Sequence, residues 1–462
     1  MKTQHQTTMR QRVPYGIYFF GQGLIYTLVS QYLIFYYTDY VLLPSLVISV
    51  IMFGGKLWDA VNDTLFGLIM DRVRFKSGNR FIPWLKAAAV AIPLTTIFAF
   101  SVDKVPGMVP RTALAILSYL LWDLAYTMSD APIMALATTM TPVVKERGIL
   151  MTFSGIGGAA AMALSSIVLP LLFDKFGFLT ASASVSVIAL FAMSLVTIFC
   201  KEKFHVHTAQ DTNADGSRHQ PTLRETWQYI RQNRYLLMFY GYRLVSGIIS
   251  VSMLTHMAKY CLGDVKYVSL VALYSIPMIV LVYIASPFIL KRLDKIVIYR
   301  ACMIITTVMY ILTYLIGYDN KQLVVAAMAV IAALAILPAI IMGAIPQDCI
   351  EYGTFKTGIR MEGITFALQS FVNKLIAAFA AANSGIIFHL IHYDAQLPVQ
   401  PDATVSIIWA STLLLPMLGQ LLGIGFLFAY KLKDKDVQLM SDANRGNITR
   451  AQAMEKMSRT YK

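Results

Sequence analysis

Long apolar runs recur along almost the whole chain, and many reach about 20 residues, the length that an α-helix needs to cross a lipid bilayer. Hydrophobic residues make up 57% of the sequence and charged residues only 14%, whereas about 25% of the residues of a soluble domain are charged. Because a chain inside lipid must satisfy its own backbone hydrogen bonds, these runs predict helices. The chain is therefore expected to be an all-α protein that crosses a membrane many times.

Windowed hydropathy predicts twelve transmembrane helices in two sets of six. The first set covers about residues 13–38, 43–70, 82–101, 111–140, 149–173 and 179–200, and the second about 235–260, 267–290, 298–316, 322–345, 362–390 and 403–431. The predicted domains are an N-terminal six-helix bundle at 1–200, a polar linker at 201–234, a C-terminal six-helix bundle at 235–431 and a tail at 432–462. Thr222 and Glu225 have capping-box spacing, which predicts a short surface helix in the linker.

Lysine and arginine residues are unevenly distributed between the two sides of the predicted membrane. The loops on one side carry only Lys104, Arg111, Lys175, Lys266 and Lys321, and most of the 39 lysines and arginines lie on the side of the two termini. Cytoplasmic loops carry the excess of positive charge, so both termini are predicted to be cytoplasmic and the protein to lie in the cytoplasmic (inner) membrane. The net charge of +14 is then explained by contact with membrane lipids, and no nucleic-acid partner is needed.

The sequence lacks the patterns that catalysis or a bound cofactor would need. Its four cysteines stand singly, without the spacing of a metal site or a disulfide framework. We find no phosphate-binding glycine loop, no nucleophile–base pair and no metal-ligand cluster of catalytic type. The chain is therefore predicted not to be an enzyme and to hold no cofactor.

Charged residues interrupt the second predicted span, in the stretch GGKLWDAVND. Lys56, Asp59 and Asp63 are spaced i, i+3 and i+7, and Asn62 lies beside them. This spacing places the three charges on one face of a helix. A charge at the centre of a bilayer costs at least about 2.5–3.5 kcal/mol, so this face is expected to point into the protein.

The fourth span carries a second polar face. Asp123, Tyr126, Thr127 and Asp130 follow one another at i, i+3, i+4 and i+7. Carboxylate, amide and hydroxyl oxygens from the two spans would suit a small cation, and the same carboxylates could take up a proton instead. A lysine of the second half, Lys374, lies in an apolar span and could neutralise such a cluster. Arg243 lies closer to a cytoplasmic end and is expected to extend toward the interface.

Several motifs resemble those of a known transporter family. GLIMDR at 67–72 resembles the GxxxDR loop signature of the major facilitator superfamily, and two sets of six spans fit its plan. WDAVND resembles the most characteristic motif of the glycoside–pentoside–hexuronide:cation symporters, which include the melibiose permease and the glucuronide carrier. FYYTDYV, DRVRFKSGNRFIPWL, YTMSDAP and PQDCIEYGTFKTGIRMEGITFALQSFVNK match further parts of that family in the same order.

The resemblance implies the major facilitator fold and a role for individual residues. Cation-binding residues would be Asp59, Asn62, Asp63 and Thr127, with Na⁺ at Asp59 and Asp63 as the one metal ion to consider. The resemblance assigns a sugar contact to Asp130 and places Lys374 near the cation and sugar sites, and the residues of the chain itself add Gln22, Tyr26 and Tyr126 as candidate sugar contacts. Residues of coupling and of a cytoplasmic gate would be Lys56, Asp71, Arg72, Asp348, Glu351 and Arg360, the last three within a charged cytoplasmic loop that also contains Tyr352 and Glu362.

Departures from the family pattern affect the substrate more than the fold. Phe19, Gln22, Gly155 and Met134 stand where the α-galactoside carriers have residues that grip the sugar, so melibiose is not the expected substrate. The expected function is a secondary symporter, acting as a monomer, that imports a glycoside, pentoside or hexuronide with H⁺ or Na⁺. The alternative is a major facilitator transporter of a lysolipid or another amphiphile. The sequence does not decide which sugar or which cation is carried.

Overall fold

The computed structural model describes residues 7–73, 75, 78–141, 144–202, 223–397 and 399–458. These residues form α-helices, a short 3-10 helix at Val102–Lys104 and no β-strand. The helices are α1 (Met9–Asp39), α2 (Ser45–Arg72), α3 (Ile82–Ala99), α4 (Met108–Met140), α5 (Val144–Phe199), α6 (Leu223–Gln232), α7 (Arg234–Ile248), α8 (Leu254–Tyr260), α9 (Lys266–Arg292), α10 (Lys295–Ile316), α11 (Lys321–Leu334), α12 (Ile336–Thr357), α13 (Glu362–Leu390), α14 (Asp402–Ala429), α15 (Asp434–Asn444) and α16 (Arg450–Lys456).

Most of these helices are suited to a bilayer. Within the described residues, eight helical segments are long and apolar enough to cross a membrane, and they include Ile149–Phe199 and Lys321–Thr357. Helices α1 and α2 are 31 and 28 residues long, which also exceeds the length of about 20 residues that a crossing requires. The prediction of an all-α, multi-pass membrane protein is confirmed.

Three helix boundaries differ from the predicted spans, each for a local reason. The fifth and sixth spans are joined in α5, where Gly177 takes up a positive φ of 74° that turns the chain between them. The seventh span is divided into two helices: α7 ends at Ile248 and α8 begins at Leu254. The tenth span was predicted to end at residue 345, but α12 continues to Thr357 and ends at the left-handed cap Gly358.

The chain divides into two compact units. The first contains α1–α5 together with the segments Ser252–Leu273 and Ser384–Val405, so it includes α8. The second contains α6 and α7, the segment Tyr274–Asn383 and the chain from Ser406 onward. The core of the second unit is rich in buried tyrosines, among them Tyr235, Tyr242 and Tyr352.

Small residues bring α1 and α5 into close contact in the first unit. A Cβ atom at Gly157 would lie 2.0 Å from the backbone oxygen of Gly16, and one at Gly23 would lie 2.8 Å from the Cβ of Ala161. Helices that meet without the hydrophobic effect of water depend on such backbone approach for their packing. Gly157 and Ala161 of the fifth span therefore serve to pack α5 against α1.

Replacing Gly157 by alanine should separate α1 from α5 and lower the unfolding temperature of the purified protein, because the backbone of Gly16 cannot yield as a side chain would. A matched control is the next residue, Gly158, where a Cβ meets nothing within 4 Å. Gly158→Ala should be neutral or stabilising by about 0.5–1 kcal/mol through helix propensity. Equal unfolding temperatures for the two variants would contradict the close contact at Gly157.

Candidate functional site

The predicted cation-binding residues meet where α2 lies against α4 in the first unit. The side-chain amide of Asn62 donates to Thr127 Oγ1 at 2.9 Å, and the Thr127 hydroxyl donates to Asp63 Oδ1 at 3.1 Å. Asn62 and Thr127 are buried, with 3% and 4% of their surface exposed. The threonine hydroxyl therefore joins the amide and the carboxylate in one row of oxygen-bearing groups.

The fourth residue of the predicted set, Asp59, forms an ion pair with Lys56. The Lys56 Nζ atom lies 3.7 Å from Asp59 Oδ2, and both side chains are largely buried. This arrangement depends on Gly55, because any Cβ there would overlap the ring of Tyr119. The small residue before Lys56 thus allows α4 to approach α2 at the level of the charges.

Helix α1 brings the predicted sugar-contacting residues next to α4. Gln22 Nε2 donates to Asp130 Oδ1 at 2.6 Å. The rings of Tyr26 and Tyr126 lie 5.7 Å apart, and Trp122 stacks on Tyr126 at 5.1 Å. Just over two turns of α4 therefore carry a carboxylate held by an amide beside a group of aromatic rings.

Such a site offers hard oxygen ligands and aromatic surface. Carboxylate, amide and hydroxyl oxygens are the donors that hard cations prefer. Carboxylates and amides can also pair with sugar hydroxyls through hydrogen bonds, and aromatic rings supply an apolar face. The first unit thus has the chemical groups for an ion and for a polar solute within the same three helices.

Lys374 belongs to the second unit, where it lies on α13. Its role toward the cation and the sugar stays a prediction. The neighbouring Asn373 accepts a hydrogen bond of 2.8 Å from Arg243 Nη2. The guanidinium of Arg243 also contacts the sulfur of Met342, so it is held within the second unit by residues of α12 and α13.

The two acidic residues predicted for the gate, Asp348 and Glu351, lie on a helix rather than in a loop. Asp348 and Glu351 both lie on α12, because this helix extends beyond the apolar part of the sequence. Asp348 pairs with Lys295 at 2.7 Å, and Glu351 pairs with Arg360 at 2.9 Å. The placement of Asp348, Glu351 and Tyr352 in a charged loop was wrong, whereas Arg360 does lie in the loop between α12 and α13. The side chains of Asp71, Arg72 and Glu362 lie outside the described residues.

The tail is folded onto this part of the second unit. Lys295 also lies 3.4 Å from Asp434 at the start of α15, and Asn444 at its end donates to the Glu351 side chain at 2.9 Å. Met440 and Val437 of α15 are buried in the core of the unit. Helix α15 is therefore linked to both acidic residues of α12, to Asp348 through Lys295 and to Glu351 directly. The sequence did not indicate these contacts.

A second ionic cluster lies at the end of α1, and we name it the Asp39 cluster: Asp39, His256, Lys259, Tyr260 and Tyr393. All five residues belong to the first unit. Lys259 Nζ and the Tyr260 hydroxyl each lie 2.5 Å from Asp39 Oδ1, and the Tyr393 hydroxyl donates to Asp39 Oδ2 at 2.8 Å. His256 Nε2 lies 3.3 Å from the same carboxylate. The carboxylate is fully buried.

The surroundings of the Asp39 cluster keep the Tyr393 hydroxyl protonated and hold the His256 ring in place. Burial, followed by the adjacent Asp39 carboxylate, raises the pKa of Tyr393 far above its ordinary value, so its hydroxyl remains a donor. The ring of His256 is packed between Phe35 and Phe388, with centroid distances of 5.1 and 4.4 Å. Sequence reasoning missed this cluster, although an aspartate at the end of an apolar span was a usable signal.

Comparison with known proteins agrees with this architecture. The family described as MFS/sugar transport protein matches residues 14–434. The uncharacterized symporter YjmB of Bacillus subtilis (strain 168) is 26% identical over 459 residues, covering 96% of each chain. A putative sulfoquinovose importer of Salmonella typhimurium (strain LT2) is 26% identical over 408 residues, covering 86% of this chain and 84% of the relative.

A third relative is the putative glycoside/cation symporter YagG of Escherichia coli (strain K12). It is 21% identical over 443 residues and covers 94% of this chain and 95% of its own. Among solved structures, a D-xylose–proton symporter superposes with a TM-score of 0.61 at 12% identity, covering 92% of this chain and 98% of that structure. This likeness shows the fold, and the predicted major facilitator fold is confirmed. The chain belongs to the MFS/sugar transport protein family, and it is a transporter rather than an enzyme.

Proposed function

We propose that the protein is a symporter of the cytoplasmic membrane, with both termini in the cytoplasm, that imports a sugar together with H⁺ or Na⁺ by alternating access. The single observation that carries the proposal is the row formed by Asn62, Thr127 and Asp63 across α2 and α4. An ionisable group inside a membrane-spanning bundle is costly, so a carboxylate in such a row has a role in binding or moving charge. The relatives named for glycosides, sulfoquinovose and cations support this role.

In this proposal the cation and the sugar bind to neighbouring groups of the first unit. The cation would bind at Asp59, Asn62, Asp63 and Thr127, and the sugar would contact Gln22, Tyr26, Tyr126 and Asp130. Thermodynamic linkage requires that a cation which raises sugar affinity is itself bound more tightly when sugar is present. The Lys56–Asp59 ion pair supplies an internal cation that occupies Asp59 when the transported cation is absent.

Two ionic clusters would act as gates on opposite sides. With the proposed orientation, the Asp39 cluster lies toward the outside, whereas the pairs of Asp348 with Lys295 and of Glu351 with Arg360 lie toward the cytoplasm. In this proposal the pairs of Asp348 with Lys295 and of Glu351 with Arg360 break and re-form as access alternates.

The alternative, transport of an amphiphile, has no support in the comparisons. The relatives reported above are named for a sugar or a glycoside where they are named for a substrate at all. The polar groups of α1, α2 and α4 also favour a solute that forms many hydrogen bonds. We therefore set the amphiphile aside.

Counterflow in proteoliposomes tests the proposed function. Vesicles preloaded with an unlabelled sugar should exchange it for the labelled sugar, and the rate should depend on Na⁺ or on pH. Acceleration by Na⁺ at constant pH would identify sodium as the coupling ion, and acceleration by acid without Na⁺ would identify the proton. A panel of neutral and acidic sugars from which none is exchanged under any ionic condition would refute sugar symport.

A further inference from the structure

Two contacts fix the register in which α4 lies beside α2 in the first unit. At the first contact, Tyr119 of α4 lies so close to Gly55 of α2 that an added Cβ atom would overlap its ring. At the second, Thr127 of α4 accepts the hydrogen bond of Asn62 of α2 at 2.9 Å. Both helices advance by about two turns between these contacts, so they run side by side in the same direction.

Asp123 lies between these two contacts on the same face of α4. It follows Tyr119 at i+4 and precedes Thr127 by the same spacing, and residues four apart share one face of a helix. On α2 the ion pair of Lys56 with Asp59 occupies the same interval. The Asp123 side chain, in a residue with only 3% of its surface exposed, therefore faces that ion pair.

Lys56 is a single cation beside two carboxylates. Its Nζ atom lies 3.7 Å from Asp59 Oδ2, and the negative charge of Asp123 acts on the same ammonium. A lysine carries its ammonium on a flexible four-carbon stem. The charge can therefore move from one carboxylate to the other by side-chain rotation, without any movement of α2.

The transported cation would compete with Lys56 for the carboxylate of Asp59. When that cation binds, the ammonium of Lys56 loses its partner on α2. A buried charge that is left without a partner is strongly unfavourable, so the displacement requires a second acceptor within reach of the lysine side chain. Asp123 is a buried carboxylate on the facing helix at the same level.

We infer that Asp123 is a coupling residue, which receives the Lys56 ammonium when the transported cation binds at Asp59. The inference rests on the proposed function and extends it to a residue to which that function gives no role. Lys56 neutralises Asp59 and Asp123 in turn, so its charge is paired whether or not the cation is bound. Ion binding on α2 thereby changes the charge on α4, the helix that carries Tyr126 and Asp130 of the proposed sugar contacts.

The ion dependence of sugar counterflow tests this inference on the full-length protein in proteoliposomes, with the sugar that the panel described above identifies. The measured quantity is the concentration of Na⁺, or of H⁺ where acid drives exchange, at which counterflow is half-maximal. Asp123→Asn should raise it at least about 10-fold, because the displaced ammonium has no carboxylate to receive it. Asp123→Glu should restore most of the wild-type value, since it keeps the charge.

A second background separates this role from a direct contact between Asp123 and the transported cation. In Lys56→Gln protein no ammonium has to be displaced, so adding Asp123→Asn should change the half-maximal concentration by less than about threefold. A loss of the same size in both backgrounds would overturn the inference, and so would a wild-type value for Asp123→Asn alone. The matched control is Asp103→Asn, the same change in the same unit at a carboxylate whose partners are Lys104 and Tyr36, which should stay within about twofold of the wild type.

A structure of the wild-type protein tests the inference even if the variants fail to fold. Electron cryo-microscopy in lipid nanodiscs with saturating Na⁺, or at low pH for a proton-coupled carrier, should place Lys56 Nζ within about 4 Å of an Asp123 carboxylate oxygen. An ammonium that stays on Asp59 at saturating ion would overturn the inference and leave sugar symport intact. A wild type that exchanges no sugar of the panel under any ionic condition would instead refute the proposed function, and this inference with it.

Discussion

Cation-driven accumulation of sugar should be abolished by Asp63→Asn. Asparagine has the size of aspartate, and its side-chain oxygen can still accept the hydrogen bond of the Thr127 hydroxyl, which is 3.1 Å long in the native protein. The substitution removes the negatively charged carboxylate, which would coordinate a sodium ion or accept a proton. Accumulation in proteoliposomes with an imposed Na⁺ or pH gradient should fall to simple equilibration, a loss that no change outside the site should match.

The control for this variant is Asp264→Asn. The Asp264 carboxylate is exposed and pairs with Lys266 at 2.6 Å at the surface of the first unit, where such pairs contribute about 0–1 kcal/mol. Accumulation by this control should equal that of the wild type. If Asp63→Asn still concentrates sugar in response to a cation gradient, the assignment of Asp63 to the cation site is wrong.

Asp39→Asn should strongly destabilise the protein. The substitution leaves Lys259 and His256 beside a neutral amide, and removing one partner of a buried charge pair costs about 3–5 kcal/mol. Because 35% of the Lys259 side chain is exposed, its charge is partly solvated, and the lower end of that range is expected. Thermal unfolding of the detergent-solubilised protein, followed by tryptophan fluorescence, measures the change.

A double-mutant cycle separates the ion pair from other effects of Asp39→Asn. In the background of Lys259→Gln, the same Asp39→Asn change should cost markedly less, because the uncompensated ammonium is no longer present. The surface variant Asp264→Asn again serves as the control, with a change below about 1 kcal/mol. Additive effects of the two substitutions would show that Asp39 and Lys259 do not stabilise one another.

Local periodicity was sufficient to predict the polar faces of α2 and α4. The i, i+3 and i+7 spacing on α2 puts Asp63 on its polar face, the i, i+3, i+4 and i+7 spacing on α4 does the same for Thr127, and the structure joins the two residues by a hydrogen bond. A partner for Lys56 was likewise one turn away in the sequence, and the two side chains form an ion pair. Residues on a single helix face can be found from the sequence, because helical geometry fixes their direction.

The Asp39 cluster could not be predicted in this way. Asp39 is separated from His256 by 217 positions and from Tyr393 by 354, so only the fold brings them together. The extension of α12 was missed for a different reason. Hydropathy reports contact with lipid and not helicity, so the apolar signal ends near Asp348 while the backbone continues to its cap at Gly358.

The folded tail has a practical consequence for anyone who handles this transporter. Asp436 is fully buried and accepts hydrogen bonds from the backbone and hydroxyl of Ser458 at 2.9 and 2.6 Å, and α15 lies against α12 through Lys295 and Glu351. An affinity tag or fluorescent reporter should therefore follow the last residue through a spacer. Truncation of the chain after α14, a common step in crystallisation, would remove a helix that packs in the core of the second unit and contributes to its stability.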